Sequence, residues 1–542
     1  MRLRHLPIVL FALIWCARGY AYPVAYALPL DKLADQSDLV VKAQAIATDP
    51  VKDPAFTDYS NQGYGVFATR LKVISVLKGD AKLAEITFHH YDVVPDFRGG
   101  RFFSPQIYHF TPNQPYILFA KKSDVPGVFR TFSFNHTTQE DQGLLRAANS
   151  NPCAKDATVK DAIWDELTAL IASKDPADVT YALGHLDVLS NALRPIGEGH
   201  EDFPRNAVLD LVTPLLAHTD PAIASAAVKA IGRPSPYWSD DLAHGWLATV
   251  GKGNAIRRGY GTYPANYTNP SAAYCRPQLV ALANTATAPA TLRAQAIRSL
   301  GRSRDNDRDT ALLAPLRSWS GDPEPQVRAA AAVLWSDYPS KDASATIQSL
   351  AADQSPVVRT AAAYAIGFSQ TTELLPTLDA LLADPDEHVH RASAVSLLSF
   401  DPKAAAPILK SHLKDPRCFV AFTNALAEAD PVAYRDDLVT ILTSKPGHES
   451  LTGQVPAYTA WDILMNHIAA CPPADLRAGK LDKYLDALES PPNIGSGPYQ
   501  TLYRFYHEQK FTGRMQSFRE KAVKQVTGYD LDYYFKQIDG RK

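Results

Sequence analysis

Asp353-Gln-Ser-Pro-Val-Val-Arg-Thr-Ala-Ala-Ala-Tyr-Ala-Ile-Gly367 decides the fold, because the chain repeats this framework at a constant interval. Asp322, Asp353, Asp384 and Asp415 stand 31 residues apart. Five positions after each comes Val327, Val358, Val389 and Val420, ten after comes Ala332, Ala363, Ala394 and Ala425, and six before comes Leu316, Ile347, Leu378 and Leu409. A fixed period of about 30 residues marks a solenoid, whose units cannot bury their apolar faces alone and must stack on their neighbours.

Two earlier segments fit the same frame: Ile223-Ala-Ser-Ala-Ala-Val-Lys-Ala-Ile-Gly-Arg233 and Leu292-Arg-Ala-Gln-Ala-Ile-Arg-Ser-Leu-Gly-Arg302. Gly232, Gly301 and Gly367 fall where a helix C-cap takes a left-handed residue. The Asp of each copy is expected to cap the second helix of a pair, with Pro in the first turn. The Ala row lets neighbouring helices approach closely, and Val327 and its equivalents fill the gap between units. The pattern D-P-x-x-x-V-R-x-A-A-A-x-A-I-G resembles the HEAT repeat, in the short form also found in phycobilin-lyase-like proteins. The resemblance implies an α-α superhelix, a HEAT-like α-solenoid, with clear copies at 205–235 and 280–430 and an array over 156–490.

The chain opens on basic residues (Arg2, Arg4), an apolar run from Leu6 to Ala17 and small residues at Ala25-Tyr-Ala27. This reads as a secretory signal peptide over 1–27, cleaved after Ala27 or Ala21. The run is too short to span a bilayer, and no other segment approaches the roughly 20 apolar residues of a membrane helix. In Leu13-Ile-Trp-Cys16, Trp15 stands where a lipoprotein signal needs a small residue. The protein is therefore expected to be exported, periplasmic or extracellular.

Short alternating segments follow: Val66–Leu77, Ile86–Tyr91, Pro115–Ala120 and Val128–Phe132, after a first strand ending near Ala47. Strands of this length with Gly and Pro punctuation read as a small β-barrel. The order Ala34-Asp-Gln-Ser-Asp-Leu-Val-Val41, Val76-Leu-Lys-Gly79, then Gln114-Pro-Tyr-Ile-Leu-Phe-Ala120 resembles the netrin-like or OB-type barrel of many exported bacterial proteins. The resemblance covers 28–150. A similar domain serves tissue inhibitors of metalloproteinases, which depend on an amino-terminal cysteine; here no cysteine lies between 28 and 152.

The formal charge is −2, and loss of Arg2, Arg4 and Arg18 with the signal takes it to −5. A mildly acidic chain is a poor general binder of nucleic acid, whose affinity is dominated by phosphate neutralisation. Cys153, Cys275, Cys418 and Cys471 remain after cleavage, as disulfide candidates or buried free thiols. Residues 251–277 form an insertion rich in Gly, Tyr, Asn and Arg. Insertions in solenoids become loops, often on the binding face, so Arg257, Arg258, Tyr260, Tyr263 and Tyr267 are the candidate contact residues. The aromatic end, 491–542, reads as a helical cap over the last repeat, or as a docking tail.

Catalytic signatures are missing: no GxSxG, HExxH, P-loop or dinucleotide glycine fingerprint occurs. His89, His90, Asp92 and His109 group metal-ligand types locally, but adjacent strand residues point to opposite faces. His388 and His390 share no helix face at i, i+2. Certain HEAT-like hydroxylases hold iron through His-Glu pairs in the repeats, whereas His200-Glu201, His448-Glu449 and His507-Glu508 lie outside the consensus here. The reading is a non-catalytic, exported interaction protein with a protein or peptide partner, without cofactor, resident metal or nucleic acid. Its alternatives are a lyase-like enzyme acting on a small ligand where barrel and solenoid join near Cys153, and a protease inhibitor acting through the barrel.

Overall fold

A computed structural model describes residues 30–60, 63–94, 105–131, 143–190, 202–231, 274–300, 310–338, 340–443, 456–490, 497–525 and 531–540. The chain divides into two compact units, Met1–Ile231 and Gly232–Lys542. The signal segment 1–27, most of the 251–277 insertion, Gly232 and Gly301 lie outside the described residues.

In the first unit, α1 (Leu30–Gln36) precedes strands β1 (Leu39–Pro50), β2 (Tyr64–Lys78), β3 (Glu85–Val93), β4 (Pro115–Lys122), β5 (Val128–Arg130) and β6 (Leu144–Arg146). Leu39, Val41, Ala43 and Ala45 of β1 turn into the core with Leu71, Phe88, Phe110, Leu118 and Phe129, the two-residue period of a strand. β1 pairs antiparallel with β2 and β4, β2 pairs with β3, and β5 runs parallel to β3. Closure is uneven because β5 is three residues long and meets β4 only through Lys121↔Arg130 and Lys122↔Phe129. β6, too short to stand out in the sequence, adds to β4. The result is a six-stranded sheet rather than an evenly closed barrel.

The helices that follow in this unit are α2 (Val159–Ile171), α3 (Pro176–Ser190), α4 (Arg205–Val212) and α5 (Pro221–Ile231). Thr158 and Asp161 form a reciprocal capping box that starts α2. α2 then meets β1 through a buried ion pair between Lys42 and Glu166, whose side chains are 1% and 8% exposed. The second oxygen of Glu166 accepts the Ala148 N–H at 2.7 Å, so the carboxylate is held from two sides. Arg146 at the end of β6 bonds Asp178 on α3 at 2.5 Å and lies over the Tyr181 ring.

The second unit is a run of helix pairs: α6 (Arg276–Asn284) with α7 (Ala290–Ser299), α8 (Leu313–Ser320) with α9 (Pro325–Trp335), and α10 (Lys341–Leu350) with α11 (Pro356–Ser369). It continues with α12 (Leu375–Leu381) and α13 (Glu387–Leu397), α14 (Pro402–Ser411) and α15 (Pro416–Ala429), then α16 (Arg435–Thr443) and α17 (Pro456–Ala470). α18 (Pro473–Arg477), α19 (Asp482–Leu488), α20 (Gly497–Glu508), α21 (Thr512–Gln525) and α22 (Leu531–Asp539) follow. Leu316, Ile347, Leu378 and Leu409 are all buried, as are Ala332, Ala363 and Ala394. The second helices α7, α9, α11 and α13 pack directly on one another along this Ala row. Tyr499, Tyr503, Phe505, Tyr506, Phe518 and Phe535 are buried in one core with Trp461, Leu464 and Leu485, while Tyr533 and Tyr534 are exposed.

Three expectations are corrected. Gly367 is no C-cap: it lies inside α11, and the left-handed cap is Gln370 at φ 52°. A Cβ at Gly367 would stand 2.8 Å from the Ser396 Oγ and 3.1 Å from its Cα, so the glycine is there for close helix approach. Asp322, Asp353 and Asp384 do not cap the second helices, whose N-caps are Glu324, Ser355 and Asp386. Finally, Val327, Val358 and Val389 sit in the inter-unit gap, but the fourth helix starts two residues early, and Cys418 takes the place expected for Val420.

Glu166→Gln leaves the Lys42 ammonium buried without a counter-charge, and we expect a loss of about 3–5 kcal/mol, read from denaturant midpoints. Lys42→Met combined with Glu166→Leu should recover most of it. Gly367→Ala is expected to cost about 1–3 kcal/mol by overpacking, while Gly184→Ala in α3, where nothing lies within 4 Å, should be neutral or stabilising. Equal effects of the two alanines would remove the close-approach explanation.

Candidate functional site

Consecutive repeats are tied by an arginine of one second helix and the Asp that opens the next. Arg328 donates through Nε and Nη2 to both carboxylate oxygens of Asp353 at 2.8 and 2.9 Å, and through Nη1 to the Asp322 and Pro323 carbonyls. Arg359 repeats this on Asp384 at 2.7 and 2.9 Å, with Nη1 on the Asp353 and Gln354 carbonyls. Arg293 reaches Asp322 and the Ala283 carbonyl. The planar guanidinium fork suits this bidentate task, which a lysine could not perform. Burial pushes the Asp353 carboxyl up, but the Arg328 bonds and the Ser355 N–H more than offset it and leave it below 3.8. Hydrogen bonds from Arg359 likewise hold Asp384 below that value.

The fourth joint is built differently. Leu409 and Asp415 keep the spacing of Leu378 and Asp384, but α15 begins at Pro416, so Asp415 is at once the ladder acid and the N-cap of its helix. His390 stands where Arg328 and Arg359 stand, and Cys418 where the valines stand. The His390 Nε2 lies 3.4 Å from the Asp415 Oδ2 and 3.7 Å from the Cys418 Sγ. Both His390 and Cys418 are fully buried, and the His390 Nδ1 has no hydrogen-bond partner. Burial, then the Arg417 charge, lowers the imidazole's pKa, and burial pushes the Cys418 thiol up to about 12. Arg417 bonds to both Asp415 oxygens and holds that carboxyl at about 2. α15 does not continue the close backbone approach of α7 to α13, because Phe422 stands where α9 and α11 carry Ala331 and Ala362.

Each second helix also exposes side chains in or beside its first turn: Glu324 and Gln326, Gln354 and Val357, Glu387 and His388, then Pro416 and Arg417. These pairs recur once per repeat, the first three on helix starts that the arginine ladder fixes and the fourth at the histidine joint.

Arg257, Arg258, Tyr260, Tyr263 and Tyr267 lie outside the described residues. Among the described residues no disulfide joins Cys153, Cys275, Cys418 or Cys471, so none of the disulfide candidates is paired. Cys153 donates its backbone N–H to the Ser75 Oγ at 2.9 Å, and burial raises its thiol, which makes a poor nucleophile. The histidines around Asp92 do not converge. His89 meets Asp53 at 2.8 Å, where Arg130 binds the same carboxylate through two nitrogens. His90 faces Thr69 at 2.8 Å with burial lowering its pKa to about 4, and His109 reaches Asp92 at 3.1 Å on the exposed side. The ladder arginine was visible in the repeat pattern as the R at 293, 328 and 359, without a role. The fourth joint announced itself only by V-H replacing V-R.

A family model described as HEAT repeats matches residues 276–367 and 343–427. The second unit carries HEAT repeats. No curated protein matches the chain. Among solved structures, the karyopherin Kap121p bound to the extreme C-terminus of the protein phosphatase Cdc14p is 13% identical over 71% of this chain, with a TM-score of 0.32. The match spans 46% of Kap121p, under half its length. An engineered protein matches 66% of this chain and 98% of its own at 15% identity and a TM-score of 0.27. The Escherichia coli protein YIBA matches 49% and 98% at 16% and 0.28. The HEAT assignment rests on the family match and the ladder rather than on these scores. No helix among the described residues is long and apolar enough to cross a membrane.

The ladder acids carry a pH signature. Asp384 has its folded-state pKa below the ordinary 3.8, so its stabilisation is present above that value and is lost as the pH falls through the lower folded value. The Tm gap between wild type and Asp384→Asn should therefore be widest near neutrality and close in acid. A gap that stays constant with pH would remove the charge pair from the account.

Proposed function

We propose that this protein is an exported, non-catalytic scaffold that holds a protein or peptide partner along its HEAT array. The observation that carries this reading is the row of exposed first-turn side chains, Glu324 and Gln326 through Pro416 and Arg417, repeated once per unit on a rigid ladder. A partner lying along such a row is read a few side chains at a time, and stacked helix pairs provide extended surfaces of this kind. Val357 supplies an apolar contact point, 55% exposed. The 251–277 insertion, with Arg257, Arg258, Tyr260, Tyr263 and Tyr267, is the second contact surface in this reading. The basic and apolar start of the chain supports export, and the six-stranded domain is a netrin or OB-type module carried at the amino terminus.

The test starts from the exported fraction of the native cell. Partners retained by the mature chain are purified, and their affinity is measured for wild type, a 251–277 deletion and Val357→Asp with Glu387→Arg. An affinity loss of at least tenfold, about 1.4 kcal/mol, in either variant supports the scaffold. A partner held equally by all three overturns the assigned surfaces, and recovery of the chain only from the cytoplasm with Met1 intact overturns export.

A further inference from the structure

We propose that His390, Asp415 and Cys418 form a binding site for a zinc-class divalent cation at the fourth joint of the HEAT array. Their ligand atoms all lie within 4.8 Å of one another. The two separations from His390 fit one ion: tetrahedral zinc with bonds of about 2.0 Å to N and O and about 2.3 Å to S sets N to O at about 3.3 Å and N to S at about 3.6 Å. The structure has 3.4 Å from Nε2 to the Asp415 Oδ2 and 3.7 Å from Nε2 to Sγ. The 3.4 Å contact is long for a hydrogen bond between N and O, and both distances match the edges of a coordination polyhedron.

The site arises from coordinated departures from the repeat. Arginine becomes histidine at 390, valine becomes cysteine at 418, and two residues are lost between Leu409 and the second helix, which brings the thiol beside the ladder acid. Packing alone does not favour this exchange. An arginine pairs bidentately at the two preceding joints, whereas His390 is buried with its Nδ1 unpartnered, a cost of about 1–3 kcal/mol.

The surroundings suit a cation. The His390 Nε2 faces the Asp415 carboxylate and the Cys418 thiol together. Arg417 bonds to the Asp415 carboxylate and orients it, as outer-shell partners of metal-bound carboxylates do. Asp415 is 20% exposed and Glu387, which opens α13, 65%, so the site borders solvent. Binding exchanges the Cys418 S–H proton for the metal and releases that proton to solvent, with no change of oxidation state. Three protein ligands leave the fourth position to water.

The experiment uses the full chain, reduced with a phosphine and stripped by a chelator, titrated with Co2+ and then Zn2+. The expected result is a near-ultraviolet thiolate-to-cobalt band saturating at one equivalent, displaced by Zn2+, and a Zn2+-dependent rise in Tm. Cys418→Val installs the residue found at 327, 358 and 389 and should keep the helical circular dichroism while losing the band and weakening binding at least tenfold. His390→Arg, which restores the ladder residue, should do the same. No thiolate band at stoichiometric Co2+ overturns the proposal. So does an undiminished band in either variant, which would place the ion on Cys153, Cys275 or Cys471.

Discussion

The second unit depends on the bidentate arginine-carboxylate pair that joins one repeat to the next. Arg328 and Arg359 each reach a turn of their own repeat with one nitrogen and the next repeat's Asp with two others. A single guanidinium thus fixes both the separation and the rotation of adjacent units, which apolar packing alone leaves adjustable. The Ala row and Gly367 can then be satisfied only in one register, because the side chains that face each other across the joint have no room to slide. The exposed row attributed to partner binding inherits its spacing from that constraint.

The first unit uses a different device for a similar purpose. Lys42 sits in the first half of β1, which is buried on both faces, and Glu166 on α2 receives its charge together with the Ala148 N–H. A buried pair of this kind contributes little net stability compared with apolar residues of the same size, but it penalises every other docking of helix on sheet. In both units charge acts as a register mark laid over a hydrophobic core.

What the sequence disclosed follows from which signals are periodic. The Leu, Val and Ala rows recur at a constant interval, and the helix pairs fall where those rows place them. Roles that depend on contacts between separate helices were misread or missed. Gly367 was taken for a cap because glycine at a helix end is common, whereas its role depends on Ser396, 29 residues away on another helix. Asp322, Asp353 and Asp384 resembled caps because they precede helices, and their guanidinium partners become visible only when the repeats stack. Val420 was aligned by counting, and two residues lost inside a turn put Cys418 in its place. Lys42 and Glu166 are 124 residues apart, and nothing local in either segment announces the pair. The candidate contact residues at 257–267 were read from composition, and they stand as a proposal.

The short turn before α15 also bears on how the array comes apart. A repeat protein behaves as a one-dimensional chain of coupled units, and its cooperativity is only as long as its unbroken run of strong interfaces. From α7 to α13 the backbones of the second helices approach closely along their length, while α13 and α15 meet mainly through the His390, Asp415 and Cys418 side chains. The joint at His390 therefore acts as a domain wall: opening can begin on its C-terminal side and stop there, leaving the arginine-linked repeats folded. A protein built in this way has two thermodynamic lengths within one continuous helical stack, and the histidine joint is the boundary between them.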